Sequence, residues 1–187
     1  MGTLSYTATI SLDGYAADAS GDFQWTAPGE DVFDFHVERM ASVSTEVLGR
    51  NTYQLMTYWE AEPEGEQWGD AEREFARRWQ AITRVVASST LRPDDLGAGE
   101  PRLVPHLTLD ELKRIVDDAP GEVEIFGPTV AREAICAGLV ENFRFFIVPR
   151  AVGGGLRALP AGVRLELELI EHRLFSGGTA YLHYQPR

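Results

Sequence analysis

The chain has 187 residues, with 29 Asp and Glu against 17 Lys and Arg, and a formal net charge of −12. A hydrophobic fraction of 44% and a charged fraction of 25% suit a globular chain, read here as a single domain over residues 1–187. The acidic balance argues against nucleic acid as a partner, the one cysteine excludes an internal disulfide framework or a four-cysteine zinc site, and no apolar run is long enough to span a bilayer. No basic region precedes an apolar stretch at the N-terminus, and Tyr6 stands where a myristoylation pattern needs Ser or Thr, so a cytoplasmic protein is expected.

Residues 4–12 alternate apolar and small polar side chains, the period of a strand, and Asp13-Gly14 ends it. After a loop rich in Gly, Asp and Ser, a helix is predicted from Glu30, with Phe33, Val37 and Met40 at i, i+4 and i+7. A short apolar strand over 45–48 leads through Gly49 into a helical stretch with Tyr53 and Met56. Residues 60–74 are strongly acidic, and Pro63, Gly65 and Gly69 make the first half an exposed loop. The alternative is a mobile rim carrying Trp59 and Trp68. The second half opens a helix with Phe75, Trp79 and Ile82, followed by a strand over 84–88.

Thr108 and Glu111 form a capping-box pattern ahead of Leu109, Leu112 and Val116. A strand over 123–126 then feeds a helix that opens at Gly127-Pro128-Thr129 and stops at Gly138. Strands are predicted over 143–148, 163–174 and 179–184, the last two joined by a Ser176-Gly177-Gly178 hairpin. The fold class is α/β with a mixed sheet, parallel in style first and antiparallel at the end.

No nucleophile elbow, zinc-protease motif, phosphate-binding P-loop or complete dinucleotide fingerprint is present. His36, His106, His172 and His183 lack ligand spacing and read as surface or sheet positions, so no metal site is expected. Cys136, beside Ile135, reads as an inert core thiol. The positive signal is a set of strand ends. Gly49-Arg50-Asn51-Thr52 places a cation and two hydrogen-bonding side chains where a helix begins, and an anion is favoured there. Arg50 admits two readings, an anion's partner or a solvated side chain after the turn. Ile125-Phe126-Gly127-Pro128-Thr129 repeats the junction, and Ser88-Ser89-Thr90 ends another strand with hydroxyls. Ligands of open α/β sheets sit at such carboxyl ends.

Together, Ser11-Leu12-Asp13-Gly14, Gly49-Arg50-Asn51-Thr52-Tyr53, residues 86–91, Gly127, residues 137–141, residues 145–149 and Gly153-Gly154-Gly155 resemble the dihydrofolate reductase-like superfamily. The closest branch is the riboflavin-biosynthesis reductase domain, the C-terminal half of bifunctional RibD proteins. The resemblance covers nearly the whole chain. It implies a three-layer α/β/α fold with a central mixed sheet, a homodimer, and an NADPH-dependent reductase acting on a small heterocycle or ribosylamino-pyrimidine. Carried over by position, Gly49, Arg50, Asn51 and Thr52 would hold cofactor phosphate, with Arg50 on the 2′-phosphate. Ser88 and Ser89 would line the adenosine side, and Gly127, Pro128 and Thr129 the pyrophosphate or nicotinamide. Gly153, Gly154 and Gly155 would border the substrate, and Asp13 would orient it.

Trp25, Pro28 and Glu30 have the spacing of the folate enzymes, whose carboxylate binds and helps protonate the pterin. Glu30 in a partly apolar cleft near Trp25 is the expected catalytic acid, with Asp31 as fallback. The plain alternative is an acidic residue that stabilises the helix dipole. Three departures from the family stand out. Pro128 replaces the second glycine of a pair that carries a cis peptide bond in the folate enzymes; a Gly-Pro bond would keep that geometry at lower cost but without one N–H. Arg157-Ala158-Leu159-Pro160 replaces the usual Leu-Phe after the tail glycines, and no deaminase half is seen. Dihydrofolate reduction and a non-catalytic nucleotide-binding role are the two alternatives carried forward.

Overall fold

The structure is a computed structural model that describes residues 2–187. Its elements are β1 (Leu4–Ser11), β2 (Tyr15–Ala17), α1 (Glu30–Arg39), β3 (Val43–Gly49), α2 (Arg50–Met56), α3 (Asp70–Ala81), β4 (Thr83–Ala87), β5 (Arg102–Val104), α4 (Leu109–Asp118), β6 (Glu122–Phe126), α5 (Pro128–Cys136), β7 (Asn142–Val148), β8 (Leu156–Arg157), β9 (Leu167–Leu174) and β10 (Ala180–Pro186). The chain forms two compact units, one of Gly2 with residues 33–124, the other of residues 3–32 with 125–187. No helix among the described residues is long and apolar enough to cross a membrane.

In the first unit the strands follow the order β5-β4-β3-β6. β3 and β4 pair in parallel from Thr45 opposite Thr83 to Gly49 opposite Ala87, and β5 pairs in parallel with β4. Val47, Leu48, Val85 and Val86 are all buried, as expected of parallel strands covered on both faces. Tyr53 and Met56 of α2, Phe75 and Trp79 of α3, and Leu112 and Ile115 of α4 complete this core. Two stripes differ from the predicted ones by part of a turn. In α1 it is Phe35 that is buried in this unit, while Phe33 and Val37 are half-buried and Met40, just past the helix, is buried as predicted; in α4, Ile115 replaces Val116. Only half of the capping box forms. Thr108 accepts the Glu111 N–H at 3.2 Å, but the Glu111 carboxylate turns to Arg102.

Phe33 stacks on Trp59 at 5.7 Å, and Trp59 meets Phe75, Tyr58 and Trp68 at 4.7, 4.9 and 5.6 Å. This cluster ties down the acidic segment. Glu62 accepts the Trp68 N–H at 2.7 Å, Tyr58 donates to Glu66 at 2.7 Å, and Trp68 is buried. Glu60 approaches Arg84 at 3.8 Å, and Glu74 pairs with Arg77 and Arg78. Glu62, Glu64, Glu66 and Asp70 are exposed, as the sequence reading expects, and several acids of the segment also find a donor nearby.

In the second unit β1, β7, β10 and β9 follow one another. β1 and β7 are parallel, with Ser11 opposite Val148, and β10 is antiparallel to both β7 and β9. β9 starts at Leu167, opposite Pro186, so residues 163–166 precede the ladder and the predicted strand is shorter. On β9 the partners of His183 and Tyr184 are Glu171 and Leu169, which leaves Ile170 as the extra residue of a bulge. The hairpin closes at Gly178, whose N–H donates to Phe175 at 2.9 Å. α5 begins with Pro128 at its first position. Cys136 corrects the sequence reading. It is exposed, because its helical position points away from the buried Ala134 and Ile135.

Candidate functional site

The residues of the first unit expected to hold cofactor phosphate and adenosine meet at two adjacent strand ends. The parallel register sets Gly49 beside Ala87, so α2 and the 88–90 turn leave neighbouring strands. Arg50 Nη1 donates to Thr90 Oγ1 at 3.0 Å, and Arg50 Nε donates to Asn51 Oδ1 at 3.3 Å. Both partners are neutral, and the side chain is exposed. Ser88 is mostly buried and its Oγ accepts the N–H groups of Thr90 and Leu91 at 3.2 and 3.1 Å, so this hydroxyl shapes the turn. Ser89 is exposed and Thr52 half-buried. Thr90 belongs to the hydroxyl run that the sequence shows but has no site role there; the Arg50 bond that gives it one spans 40 residues.

The second unit contains the other expected residues. Gly127 has φ +119°, a conformation that side-chain-bearing residues avoid, and it precedes Pro128 at the start of α5. The Gly127–Pro128 bond is trans, as are all peptide bonds among the described residues, so the cis geometry allowed for by sequence is absent. Thr129 is exposed.

Asp13 is exposed, and its carboxylate accepts the Val152 N–H at 3.1 Å and the Gly153 N–H at 2.7 Å. The Ser11 hydroxyl, with these two N–H groups, holds its carboxyl down to about 2. Asp13 and Gly153 are thus brought together, but as partners of each other. Gly154 is open, whereas Gly155 has φ +132° and lies so close to the Ala17 carbonyl and the Asp18 backbone that a Cβ would collide with them.

Trp25 lies in a short 3-10 turn over Gln24–Thr26 and donates its ring N–H to the Asp22 carbonyl at 2.9 Å. Glu30 opens α1 and is exposed, which corrects the expectation of a partly apolar cleft around it. The fallback is otherwise engaged. Asp31 accepts the Ser176 N–H at 2.7 Å and the Val32 N–H at 3.0 Å, and Ser176 holds its carboxyl below the usual range.

A second set of charges sits within the first unit. Glu46 and Glu124 are 2% and 6% exposed. Trp79 donates its ring N–H to Glu46 at 2.7 Å, Arg39 pairs with Glu124 at 2.8 Å, and Arg84 lies over the Trp79 ring at 4.6 Å. Burial, followed by the Glu124 carboxylate, pushes Glu46 up to about 8. Burial and then Arg39 push His36 down to about 4. No group of His, Cys, Asp and Glu among the described residues is arranged to hold a metal ion.

No curated protein matches the sequence. Among solved structures, the chain is similar to a candidate riboflavin biosynthesis protein from Shewanella sp. PV-4, with a TM-score of 0.76 and 19% identity over 99% of both chains. It is similar to the RibD of Acinetobacter baumannii, with a TM-score of 0.70 and 16% identity, covering all of this chain but 58% of that one. Dihydrofolate reductase from Enterococcus faecalis, complexed with NADP(H) and RAB-propyl, gives a TM-score of 0.63 and 16% identity over 100% and 97% of the two chains. At these identities the likeness establishes the fold, the three-layer α/β architecture with a mixed sheet seen in dihydrofolate reductase. The RibD C-terminal domain model matches residues 3–181, and with nearly the whole length matched the chain belongs to the RibD C-terminal domain family.

Proposed function

We propose that the chain is an NADPH-dependent reductase that acts on a small heterocycle or ribosylamino-pyrimidine, in the manner of 5-amino-6-(5-phosphoribosylamino)uracil reductase. Family membership supports the reductase class, and the NADP(H) complex of the dihydrofolate reductase relative supports the cofactor class. The observation that carries the cofactor assignment is Arg50, an exposed cation with neutral partners beside the hydroxyl-rich turn after β4. Such a group fits a phosphate, which would exchange two weak neutral contacts for charge-assisted ones. Arg50, Asn51, Thr52 and Thr90 are assigned to it, with Ser89 on the adenosine side and Ser88 shaping the turn. Gly127, Pro128 and Thr129 are assigned separately, through the backbone approach that Gly127 allows and the Thr129 hydroxyl.

When bound, NADPH supplies the hydride. Glu30 is the acid assigned to hydrogen-bond the substrate edge and deliver a proton, since the oxygens of Asp31 already accept backbone N–H groups. The homodimer implied by the family resemblance is retained as a proposal. β9 ends the strand order and exposes Leu169, Ile170 and Leu174, a surface that a second copy would bury.

Titration with NADPH and NADH, followed by tryptophan fluorescence, tests the reading. Arg50→Ala is expected to weaken NADPH by about 1.5–3 kcal/mol and NADH little. Equal losses would remove the 2′-phosphate role, and absence of binding at about 1 mM NADPH would remove the reductase reading. The spacing of Trp25, Pro28 and Glu30 favours dihydrofolate as a second substrate to assay. Cofactor binding without oxidation across a pterin and pyrimidine panel would instead favour a non-catalytic role.

A further inference from the structure

The loop over 150–157 contains no buried residue. Apolar packing therefore does not fix it, and its position depends on polar contacts. It leaves the sheet beside the β1 turn, because Ser11 lies opposite Val148 and the Leu12 N–H donates to the Arg150 carbonyl at 2.6 Å. From there the Asp13 Oδ1 and Oδ2 atoms take the Val152 and Gly153 N–H groups, one each. Further along, Gly155 passes against the backbone of Ala17 and Asp18, the two-residue strand β8 pairs with β2, and the Ala158 N–H donates to the Gly14 carbonyl at 3.1 Å. Only at Ala158, whose carbonyl accepts the Tyr6 hydroxyl at 2.7 Å, does the chain return to the core. Besides backbone bonds and the Arg157 guanidinium over the Tyr15 ring at 5.1 Å near its far end, the Asp13 contacts are the side-chain anchor of this segment, and they fall at the first glycine of the Gly153–Gly155 run.

We propose that Asp13 is a positioning residue: its carboxylate fixes the Val152 and Gly153 N–H groups, sets the Gly153–Gly155 loop, and acts on the substrate through that loop without touching it. A carboxylate suits this task because it accepts two N–H groups at once and loses no acceptor to a proton. Asparagine retains one acceptor and presents an N–H₂ where the other stood; alanine retains neither. Asp31 does the same for the turn after β9, through the Ser176 N–H, so the arrangement recurs within the unit. The kinetic part of this inference rests on the reductase reading above and on the resemblance that sets Gly153–Gly155 beside the substrate, and the amide part rests on neither.

The test combines hydrogen exchange on the full chain at pH 7 with turnover. Asp13→Ala is expected to speed exchange at the Val152 and Gly153 amides about tenfold or more, Asp13→Asn by less, with β1 and β7 amides unchanged. In steady state with NADPH and a ribosylamino-pyrimidine, KM for the pyrimidine should rise about fivefold to tenfold, with kcat and NADPH affinity within about twofold. Unchanged exchange at Val152 and Gly153 in Asp13→Ala overturns the clamp. A collapse of kcat at unchanged KM overturns the positioning role in favour of direct contact with the reacting atoms. If the wild-type chain shows no turnover while the exchange changes occur, the clamp stands and the reductase reading falls.

Discussion

In the first unit Glu46 and Glu124 lie inside the sheet, neutralised or paired by Trp79, Arg39 and Arg84. In the second, Asp13 and Asp31 stand at the surface and direct their charge at backbone N–H groups. The same functional group is pushed in opposite directions, up to about 8 at Glu46 by burial and down to about 2 at Asp13 by the Ser11 hydroxyl and the amide donors. A buried carboxylate without enough partners prefers its proton, whereas an exposed one surrounded by donors gives it up. Acid therefore loosens one unit's loops, and base strains the other unit's core.

The strongest way to break the contrast is Arg39→Ala, which leaves Glu124 buried without its 2.8 Å partner. A loss of about 3–5 kcal/mol in urea unfolding is expected. Glu46→Gln sharpens it. Because the folded carboxyl binds its proton more tightly than the unfolded one, the wild type keeps this contribution below about pH 4.5 and loses it as pH rises towards about 8. The Gln variant, still an acceptor for Trp79, should flatten stability across that window by on the order of 3 kcal/mol, measured by unfolding at several pH values. For Asp13 the sign reverses, with stability present above the ordinary carboxylate range and lost as pH falls towards about 2. Gly155→Ala tests the surface loop sterically. Its φ of +132° and the nearby Ala17 carbonyl should cost about 1–3 kcal/mol in thermal unfolding. Gly154→Ala, with open space around it, should stay within about 0.5 kcal/mol.

The strands that sequence showed clearly, β1, β3, β4, β6, β7 and β10, are long enough for an apolar period or run to declare itself. β2, β5 and β8 span two or three residues and exist through pairings with distant chain, so no local period marks them. The same distinction governs the site. Arg50 and the Ser88–Thr90 run were readable because adjacent parallel strands bring their carboxyl ends together. The Asp13 clamp was not, since its partners lie 139 and 140 residues away. Nor was the demand on Glu46, which reads as an ordinary polar residue in a short strand until Trp79, 33 residues on, closes over it. Glu30 was legible as a helix opener but not as an exposed one, because exposure is set by what packs nearby rather than by spacing.

The bulge in β9 also bears on how this hairpin tolerates changes in length. Leu169 and Glu171 face Tyr184 and His183, which are consecutive on β10, so alternation on either side of Ile170 already matches a regular ladder. Removing Ile170 would straighten the strand and leave every other β9 side chain on its present face. Removing a residue from 172 to 174 would instead turn the stretch between it and the bulge over, exchanging the faces of its side chains. Ile170 is therefore a position in β9 whose deletion leaves its neighbours on their present faces. Length variation among related hairpins should concentrate at that point.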